Sequence, residues 1–562
     1  MAVTNPHSSS ISSESVIAPD TAISKPKRGE WHGVALILLT VLILTSLPFI
    51  FAYATTPDDR HFTGVMFNIP DHNQYFAWMR DLAHESLAPN RLTAEPNEPA
   101  FFNLLWWSVG RFGALAGWDY ATLFGSLRIL AIFFFLGVAY LFFRITVDGQ
   151  RQRLLTFGLF AFGGGLGIMW VVVKYLQRLP DAPFPFDIYT SEPNSFFIAL
   201  AFPHFGIALG LLVAMIGLVL FAQQRQQLRY AFAAGLVGAL IGLQHAYDLL
   251  TIATILGLFG LLIWLRDRRF PLFLFKSGLI IALLTAPPVA YLSYLVLTDA
   301  TWGGKLAQFD NAGAFTPNLL HLPILMGVPL LLALAAFRPR MLQSRKDSEI
   351  LIAAWFLAHF VLIYLPLKFQ IHLLLGWQIP IAILAAVALR KQIGPALAKR
   401  IPRLVGPVMV GLVGLCVVTN AYILAWRFID LGRYEAPYYL TQNELAALNW
   451  LDTNATRNDV VLSVLEFGQH IPVHTDARAF LAHWAGTLDF FTKQEMAAKV
   501  IDPALSNQER QAILEQFAVT YVVVREQDSP AATFMPAAAG RLTPVFQQGD
   551  VTIFRTSEPT LP

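Results

Sequence analysis

The sequence has 562 residues, of which 55% are hydrophobic and only 14% are charged. An average soluble domain carries about 25% charged residues, so this composition excludes a disordered chain, a coiled coil and an ordinary soluble enzyme. Apolar surface on this scale needs lipid to face, which predicts a polytopic membrane protein. The net charge of +3 is too small to indicate nucleic acid as a partner, and the single cysteine, Cys416, excludes an internal disulfide.

Residues 1–30 are polar and serine-rich, which predicts a disordered cytoplasmic tail. A membrane-spanning helix needs roughly 20 apolar residues. Runs of about that length lie at 33–53, 122–143, 153–173, 196–222, 230–245, 247–265, 272–297, 319–337, 350–367, 371–389 and 404–428. The segment 100–117 is short and carries Arg111, so we interpret it as an interfacial or re-entrant helix. The fold class predicted is an α-helical polytopic membrane protein with about 11 transmembrane helices.

The positive-inside rule orients these predicted spans. With eleven spans, every cluster of Lys and Arg falls on one side of the membrane. The clusters lie at 25–28, 144–153, 225–229, 266–269, 338–346 and 390–403. We therefore expect a multi-pass protein of the plasma (inner) membrane of a bacterium, with the N-terminus in the cytoplasm and the C-terminal region on the outer side.

The predicted spans divide the chain into three parts. A tail (1–30) precedes a transmembrane domain (31–428), which includes a long outer loop (54–121), and an extracytoplasmic region (429–562) follows. That last region alternates helical and strand patterns. Helices are predicted at Glu444–Leu451 and Asn507–Phe517, and strands at Asp459–Leu465, Thr520–Arg525 and Val551–Arg555. This is sufficient for a small α/β domain.

The aspartates of the first outer loop are the candidates for acid–base chemistry. They are Asp58, Asp59 and Asp71. Asp71 opens a stretch in which it shares one helical face with Tyr75, Trp78 and Leu82, so an amphipathic helix on the outer surface is predicted. Helix N-capping is one explanation of Asp71. A carboxylate that acts as a general base, or binds a hydroxyl-bearing acceptor, is the other. The first two aspartates also fit a solvated turn.

Further polar residues lie at the outer ends of the predicted spans. They are Glu192, His204, Gln244, His245, Tyr247, Asp248, Lys368 and His372. Ionisable groups there are costly unless they face a cavity or each other, so these residues are candidates to line a site that opens outward. Local backbone contacts in a hairpin turn explain His245 and Asp248 equally well, and helix packing explains His204. Lys368 suits a phosphate or pyrophosphate group, with snorkelling as the alternative.

No short catalytic motif of the Walker, HExxH, GxSxG or CxxC type occurs in the sequence. The overall layout resembles the GT-C membrane glycosyltransferases, which include protein O-mannosyltransferases, oligosaccharyltransferases and aminoarabinose transferases. The stretch Asp71–Tyr75 resembles their Asp-Glu-x-x-Tyr segment, with His72 in place of Glu. Phe101–Gly117 followed by Arg128 resembles their second juxtamembrane helix and the arginine of the next span. Lys368–Pro380 is similar to a late segment in which a basic residue precedes a helix.

The resemblance implies an inverting transfer of a sugar from a polyprenyl-phosphate-linked donor to a glycan, lipid or protein acceptor. Asp71, Asp58 or Asp59 would deprotonate the acceptor, and Lys368 would stabilise the departing lipid phosphate. The implied substrate-binding residues are His72, Tyr75, Glu192, His204, His245, Asp248, Lys368 and His372. The membrane lipids are expected partners. A divalent metal, Mg²⁺ or Mn²⁺, is open as a cofactor, because aspartates suit a hard cation.

Two other classes of function compete with the enzyme. A transporter or flippase of a lipid-linked or anionic substrate would place ionisable residues at the bilayer midplane and show internal repeats. A non-catalytic protein of surface-polymer assembly in the cell envelope would use the C-terminal region to bind a partner. The acidic first loop and the α/β region together favour the glycosyltransferase.

Overall fold

The computed structural model describes residues 28–180, 182, 184–309, 315–530, 534 and 542–556, and most of them are helical. The predicted tail lies outside the described residues up to residue 27. The helices up to residue 431 are, in chain order, α1 (Arg28–Thr55), α2 (Ile69–His84), α3 (Leu104–Ala116), α4 (Tyr120–Thr146), α5 (Gln150–Phe162), α6 (Gly167–Leu176), α7 (Ser195–Ala201), α8 (Pro203–Arg225), α9 (Leu228–Gly242), α10 (Asp248–Asp267), α11 (Leu272–Thr298), α12 (Ala300–Ala307), α13 (Leu322–Ala336), α14 (Asp347–Leu362), α15 (Gln378–Val387), α16 (Gly394–Arg400) and α17 (Val405–Leu431).

Each predicted apolar run coincides with helical structure. Short 3-10 and π-helical segments extend α13 to Leu319–Ala336 and join α15 and α16 into Gln370–Arg400. With these segments included, eight helices among the described residues are long and apolar enough to cross a membrane, and nine if the pair α5 and α6, bent by 43°, is one span. The helices α9 and α14 are shorter, with 15 and 16 residues. The chain is therefore a multi-pass helical protein, and the number of eleven crossings stays a prediction.

Four of the predicted basic clusters meet at one end of the bundle, which we call the basic end. Lys346 forms an ion pair with Asp148, at 3.1 Å, and Arg266 pairs with Asp347, at 2.7 Å. Arg390 donates a hydrogen bond to Gln152, at 3.5 Å. These contacts join the start of α5, the end of α10, the start of α14 and the segment between α15 and α16, which the positive-inside rule assigns to the same side.

The first residues of α1 also lie at the basic end, and here the predicted disorder is wrong. Arg28–Glu30 are helical, and the side chain of Glu30 is buried. It accepts hydrogen bonds from Arg153, at 2.6 and 2.9 Å, and from Tyr140, at 2.6 Å. The polar composition of the tail hid this ion pair, because its cation lies more than 120 residues away in the sequence.

The opposite end, which we call the capped end, is covered by α2, α3 and the chain after α17. The backbones of α2 and α3 approach closely at Gly110, where an added Cβ would lie 2.4 Å from the carbonyl oxygen of Met79. The ion pair between Arg91 and Asp81, at 2.9 Å, is buried between α2 and the C-terminal region. The predicted surface helix is therefore enclosed, with most of its side chains out of solvent.

The C-terminal region forms a mixed five-stranded sheet with helices beside it. Its helices are α18 (Gln442–Asn454), α19 (Leu465–Gly468), α20 (Ile471–His474), α21 (Phe490–Ile501) and α22 (Asn507–Gln516). The strands of the described chain are β1 (Arg60–Phe62), β2 (Tyr439–Thr441), β3 (Val460–Leu462), β4 (Arg478–Ala479), β5 (Val519–Arg525), β6 (Leu542–Gln548) and β7 (Val551–Thr556). The sheet order is β4-β3-β5-β7-β6, with β3 parallel to β4 and β5, and β7 antiparallel to β5 and β6.

All five helices and strands predicted in this region are confirmed, as α18, α22, β3, β5 and β7. Their signals are strong because β5 is apolar and buried, and a capping box of Thr441 and Glu444 begins α18. The sequence pattern missed β4, β6 and the short helices. It also missed β1 and β2, which pair antiparallel and join the first loop to the C-terminal region.

Candidate active site

Two adjoining cavities lie at the capped end. The Lys305 cavity has a volume of about 220 Å³, and the Lys368 cavity about 400 Å³. Both are lined by Asp71, Tyr75, Phe205, Phe309, His372 and Trp484. Asp71 is the only carboxylate among the residues that line both. A larger groove of about 690 Å³ between α10 and α11 is lined by described residues without an ionisable side chain. Of these three cavities, only the two at the capped end bring ionisable side chains together.

Asp71 lies in the first turn of α2, and donors surround its carboxylate. The N-cap position belongs to Asn68, so the N-cap explanation of Asp71 is wrong. Oδ1 accepts hydrogen bonds from Nε2 of His483, at 2.7 Å, and from Nε1 of Trp484, at 3.0 Å. Oδ2 accepts one from the side-chain amide of Asn68. A carboxylate offers about four lone-pair positions, so one stays open for a ligand.

Backbone contacts fix the tautomer of His483. Its Nδ1 lies 3.0 Å from the backbone nitrogen of Ala485 and 2.9 Å from that of Gly486, and both of these N–H groups donate. Nδ1 is therefore the acceptor, and Nε2 carries the hydrogen that points at Asp71. Burial lowers the pKa of His483 below its usual value, although the contact with Asp71 opposes this. The imidazole is thus a neutral donor.

The same contacts keep Asp71 ionised. Burial acts to raise the pKa of this carboxyl, but the hydrogen bonds from His483 and Trp484, together with the field of the nearby histidines, lower it by more. The net pKa lies below the ordinary aspartate value. The side chain keeps 19% of its surface exposed. Asp71 is therefore an ionised carboxylate with an open face, as a general base requires.

Glu192 and His372 form a polar pair in the wall of the Lys368 cavity. The Nδ1 atom of His372 contacts a carboxylate oxygen of Glu192. Tyr247 stacks on the ring of His372, with centroids 5.1 Å apart, and fixes its plane. Lys368 lies exposed in the loop after α14 and lines the same cavity. Three of the residues singled out in the sequence thus share one cavity.

A second polar group lines the Lys305 cavity. Nε2 of His204 lies 3.3 Å from the hydroxyl of Tyr75, while its Nδ1 is buried without a partner among the described residues. Nδ1 of His245 lies 2.7 Å from Oδ2 of Asp248, and its Nε2 lies 2.6 Å from the hydroxyl of Tyr247. Asp248 is buried behind the ring and orients it. Both explanations of this turn hold, because the pair is satisfied locally and His245 also faces the cavity.

Lys305 on α12 is a site residue that the sequence analysis missed. Its ammonium donates to the side-chain oxygen of Gln74 and lies over the rings of Trp78, at 4.7 Å, and Trp302, at 5.1 Å. Burial lowers the pKa of Lys305 to about 7, against a weaker opposite effect of Asp71. The described residues give it no carboxylate within ion-pair distance.

Several predicted site residues lie away from the cavities. Asp58 and Asp59 are exposed in the turn before β1, where Asp59 pairs with Arg60 at 3.6 Å. His72 points to the opposite side of α2, where its ring nitrogens contact the carbonyl oxygens of Asn68 and Ala201. The structure thus separates these three residues from Asp71.

Arg128, which the resemblance singled out, is buried in α4. It donates to the hydroxyl oxygens of Thr45, at 3.1 Å, and Ser46, at 2.9 Å, and to the carbonyl oxygen of Ala199. These contacts join α1, α4 and α7. Arg128 therefore positions the helices beneath the site and does not line either cavity.

The residues around Asp71 do not suit a divalent metal. Its oxygens already accept hydrogen bonds from three N–H donors, and a cation would compete with all of them. Within the described part of the chain, no three side chains of His, Cys, Asp or Glu converge as a metal site would require. The described residues around Asp71 therefore do not fit a divalent metal.

Comparison with known proteins finds no matching family model and no matching curated protein, but several solved structures share the fold. ArnT of Cupriavidus metallidurans, bound to undecaprenyl phosphate, is 13% identical with a TM-score of 0.55, covering 95% of this chain and 99% of that one. The apo oligosaccharyltransferase of Archaeoglobus fulgidus is 14% identical with a TM-score of 0.53, covering 95% and 75%.

The arabinofuranosyltransferase AftD from Mycobacteria is 13% identical with a TM-score of 0.55, covering 95% of this chain and 42% of that one. All three of these proteins are GT-C glycosyltransferases. At this low identity the likeness concerns the fold, and it confirms the fold class implied by the resemblance. The chain has the fold of the GT-C membrane glycosyltransferases.

Proposed function

We propose that this protein is an integral-membrane glycosyltransferase. It moves a sugar from a polyprenyl-phosphate-linked donor to an acceptor on the outer face of the membrane, with inversion at the anomeric carbon. The observation that carries this proposal is Asp71, an ionised carboxylate held by neutral donors at the junction of two cavities. An inverting transfer needs a base beside the acceptor hydroxyl at the place where that hydroxyl meets the donor, and a junction of two cavities meets that requirement.

Asp71 acts as the general base. The open lone pair of its carboxylate accepts the proton of the acceptor hydroxyl while the acceptor oxygen bonds to the anomeric carbon. The bond between that carbon and the donor phosphate oxygen breaks on the opposite face, and the phosphate leaves with the electron pair. Water at the open face then takes the proton from Asp71. His483 keeps the carboxylate oriented throughout, because its Nε2–H stays on Oδ1.

Lys368 stabilises the leaving lipid phosphate. The Lys368 cavity is the larger of the two, and its lining combines this ammonium with the imidazole of His372. Negative charge develops on the phosphate as the sugar leaves, and preorganised positive groups lower the energy of that state. Glu192 orients His372 through its hydrogen bond and so prepares the same cavity for an anion.

The structural neighbours support a lipid-linked donor. ArnT of Cupriavidus metallidurans was solved with undecaprenyl phosphate. The oligosaccharyltransferase AglB of Archaeoglobus fulgidus, with a TM-score of 0.52, was solved with an inhibitory peptide and a dolichol-phosphate. Proteins with this fold thus bind a polyprenyl-type phosphate, and one of them binds a peptide as well. The basic end faces the cytoplasm in this proposal, which places the cavities on the outer side.

The test is a sugar-transfer assay with the purified protein in nanodiscs and a panel of radiolabelled polyprenyl-phosphate sugars. Donor hydrolysis is scored beside transfer, so that an acceptor need not be known. We expect Asp71→Asn to lower the rate by about 10²–10⁴-fold, the usual contribution of a general base. Asp58→Asn and Asp59→Asn are matched controls, because both remove an exposed aspartate of the same loop, and they should keep the wild-type rate.

Equal rates in all three variants would exclude Asp71 as the base. A wild-type protein that binds the lipids but releases no sugar from any of them would exclude the enzyme. The next measurement would then be lipid translocation across the membrane of liposomes that have the same lipid composition as the nanodiscs. A transporter is the second class of function that the sequence allows.

A further inference from the structure

The Lys305 cavity has features that the transfer reaction alone does not require. At about 220 Å³ it is smaller than the roughly 300–1,000 Å³ pockets that enclose a drug-sized ligand, so it holds one end of a substrate. Tyr75, Trp78, Phe101 and Trp106 give it aromatic walls. Buried in that wall is an ammonium group, which is costly to desolvate unless it meets an anion.

The protein does not supply that anion among its described residues. Among the described residues, the ammonium of Lys305 contacts only the neutral amide of Gln74 and the faces of Trp78 and Trp302. The amide oxygen of Gln74 accepts a hydrogen bond from one of the three N–H donors of the Lys305 ammonium. Asp71 lines the same cavity, but its carboxylate is engaged by His483, Trp484 and Asn68. Lys305 thus keeps donors available beside the base.

Other groups in the cavity also fit an oxyanion. The buried Nδ1 atom of His204 has no partner in the described structure, and it can donate in the neutral tautomer whose Nε2 accepts from the hydroxyl of Tyr75. The carboxylate of Asp248 is turned behind His245 and bonded to it, at 2.7 Å, which keeps this negative charge away from the cavity. Asp71 is therefore the only acidic side chain in the lining.

We propose that the Lys305 cavity is the acceptor subsite, and that the acceptor carries a phosphate or carboxylate group which Lys305 binds next to the reacting hydroxyl. This inference rests on the proposed glycosyltransferase function and names the chemical class of its second substrate. The anion pairs with the ammonium of Lys305, and the acceptor hydroxyl lies toward Asp71. The lipid phosphate of the donor occupies the Lys368 cavity, on the other side of the base.

Binding of small anions tests the proposal in the full-length protein in nanodiscs. The probes are glycerol phosphate, glucuronate and, as the neutral control, glucose. Trp78, Trp106 and Trp484 line the cavity, so tryptophan fluorescence reports occupancy. We expect Lys305→Met to weaken both anionic probes about 10–100-fold, as the loss of a hydrogen bond to a charged group implies. Glycerol phosphate and glucuronate together separate a preference for phosphate from one for carboxylate.

Lys368→Met is the matched control, because it removes the lysine of the other cavity. It should weaken undecaprenyl phosphate and leave glucuronate bound, whereas Lys305→Met should weaken glucuronate and leave undecaprenyl phosphate bound. Gln74→Glu is a second variant that keeps the shape of the site. It places a carboxylate on the ammonium of Lys305 and should abolish binding of both anions even if Lys305→Met folds poorly.

The proposal is overturned if Lys305→Met and Gln74→Glu bind both anions as the wild type does, or if glucose binds as tightly as glucuronate. It is also overturned if Lys305→Met loses undecaprenyl phosphate instead, because the lysine then belongs to the donor side. Donor binding and hydrolysis without any anion binding would remove this inference and leave the proposed function standing. A wild-type protein that hydrolyses none of the donors would overturn the proposed function.

Discussion

Two charged sites, one at each end of the helical bundle, are held in opposite ways. At the basic end, Glu30 is joined to Arg153 and Tyr140 by three hydrogen bonds, so the carboxylate and the cation satisfy each other. At the capped end, Asp71 and Lys305 line one cavity but are each held by neutral groups. A charge that is paired within the protein joins helices and has little capacity left to bind a substrate. A charge held by neutral groups can still pair with a substrate, which supports the capped end as the place of the proposed chemistry.

After the loss of Asp71 itself, the largest effect should come from removing positive charge at the capped end. We expect Lys368→Met to lower the rate of sugar release about 10²–10³-fold, the usual cost of losing one preorganised donor to a developing anion. Lys368→Arg keeps the charge and should recover most of the rate. The measurement is single-turnover donor hydrolysis, and equal rates in wild type and Lys368→Met would place the leaving phosphate elsewhere.

Removing the donor that holds the base should have the next largest effect. His483→Ala should slow transfer roughly 10–100-fold, because it removes one hydrogen bond to a charged group worth about 1.5–3 kcal/mol. His483→Gln, whose amide can donate to Asp71, should restore part of the rate. A purely structural role for His483 would instead lower the amount of folded protein and leave the rate per molecule unchanged.

His483→Ala should also change the pH dependence of the reaction. The pKa of Asp71 in the wild type lies below its ordinary value of about 4, so the base is ionised, and activity present, at any pH above that range. Removing the His483 hydrogen bond raises this pKa, and the acid limb of kcat/KM against pH should move to higher pH. An acid limb at the same pH in both proteins would show that it belongs to another group.

At the basic end the expected effect concerns stability and not turnover. Glu30→Gln should lower the free energy of unfolding by about 2 kcal/mol, since it weakens hydrogen bonds between charged groups. The rate of donor hydrolysis per folded molecule should stay at the wild-type value. Thermal unfolding in detergent measures the change in stability. A lower turnover in fully folded Glu30→Gln protein would show that the basic end affects the site at the capped end.

The smallest effect should come from the second donor on the base. Trp484→Phe keeps the aromatic wall and removes only the Nε1–H bond of 3.0 Å to Asp71. This longer hydrogen bond to a charged group contributes about 1.5 kcal/mol, the weak end of the usual range, so a loss of roughly 10-fold in rate is expected. A loss as large as that of Asp71→Asn would mean that this indole touches the substrate directly.

The sequence predicted the features that depend on local patterns. The apolar runs fixed the helices, and the alternation of short apolar segments revealed α18, α22, β3, β5 and β7. The helical face that Asp71 shares with Tyr75 and Trp78 is confirmed, because all three line the Lys305 cavity. Glu192, His204, His245, Lys368 and His372 also line the two cavities, as expected for polar residues at the ends of apolar helices.

The partners of Asp71 could not be predicted in the same way. His483 follows it by 412 positions and Trp484 by 413, in a segment of the α/β region without any periodic signal. Lys305 lies in a loop that contains only a short helix. A sequence pattern of this kind predicts that an isolated lysine is exposed to solvent. The exposed aspartates Asp58 and Asp59 attracted attention because charge is visible in a sequence, whereas burial and the direction of a hydrogen bond are not.

The distance along the chain between Asp71 and His483 has a consequence for biogenesis. The base is synthesised soon after α1, whereas the residues that orient it are synthesised after every helix of the bundle has emerged from the ribosome. N-terminal segments fold first during synthesis. The contacts around Asp71 are thus completed late, once residues 483 and 484 have packed onto it. Under the proposed function, a partly inserted chain would lack an oriented base and would not release sugar from lipid-linked donors around it.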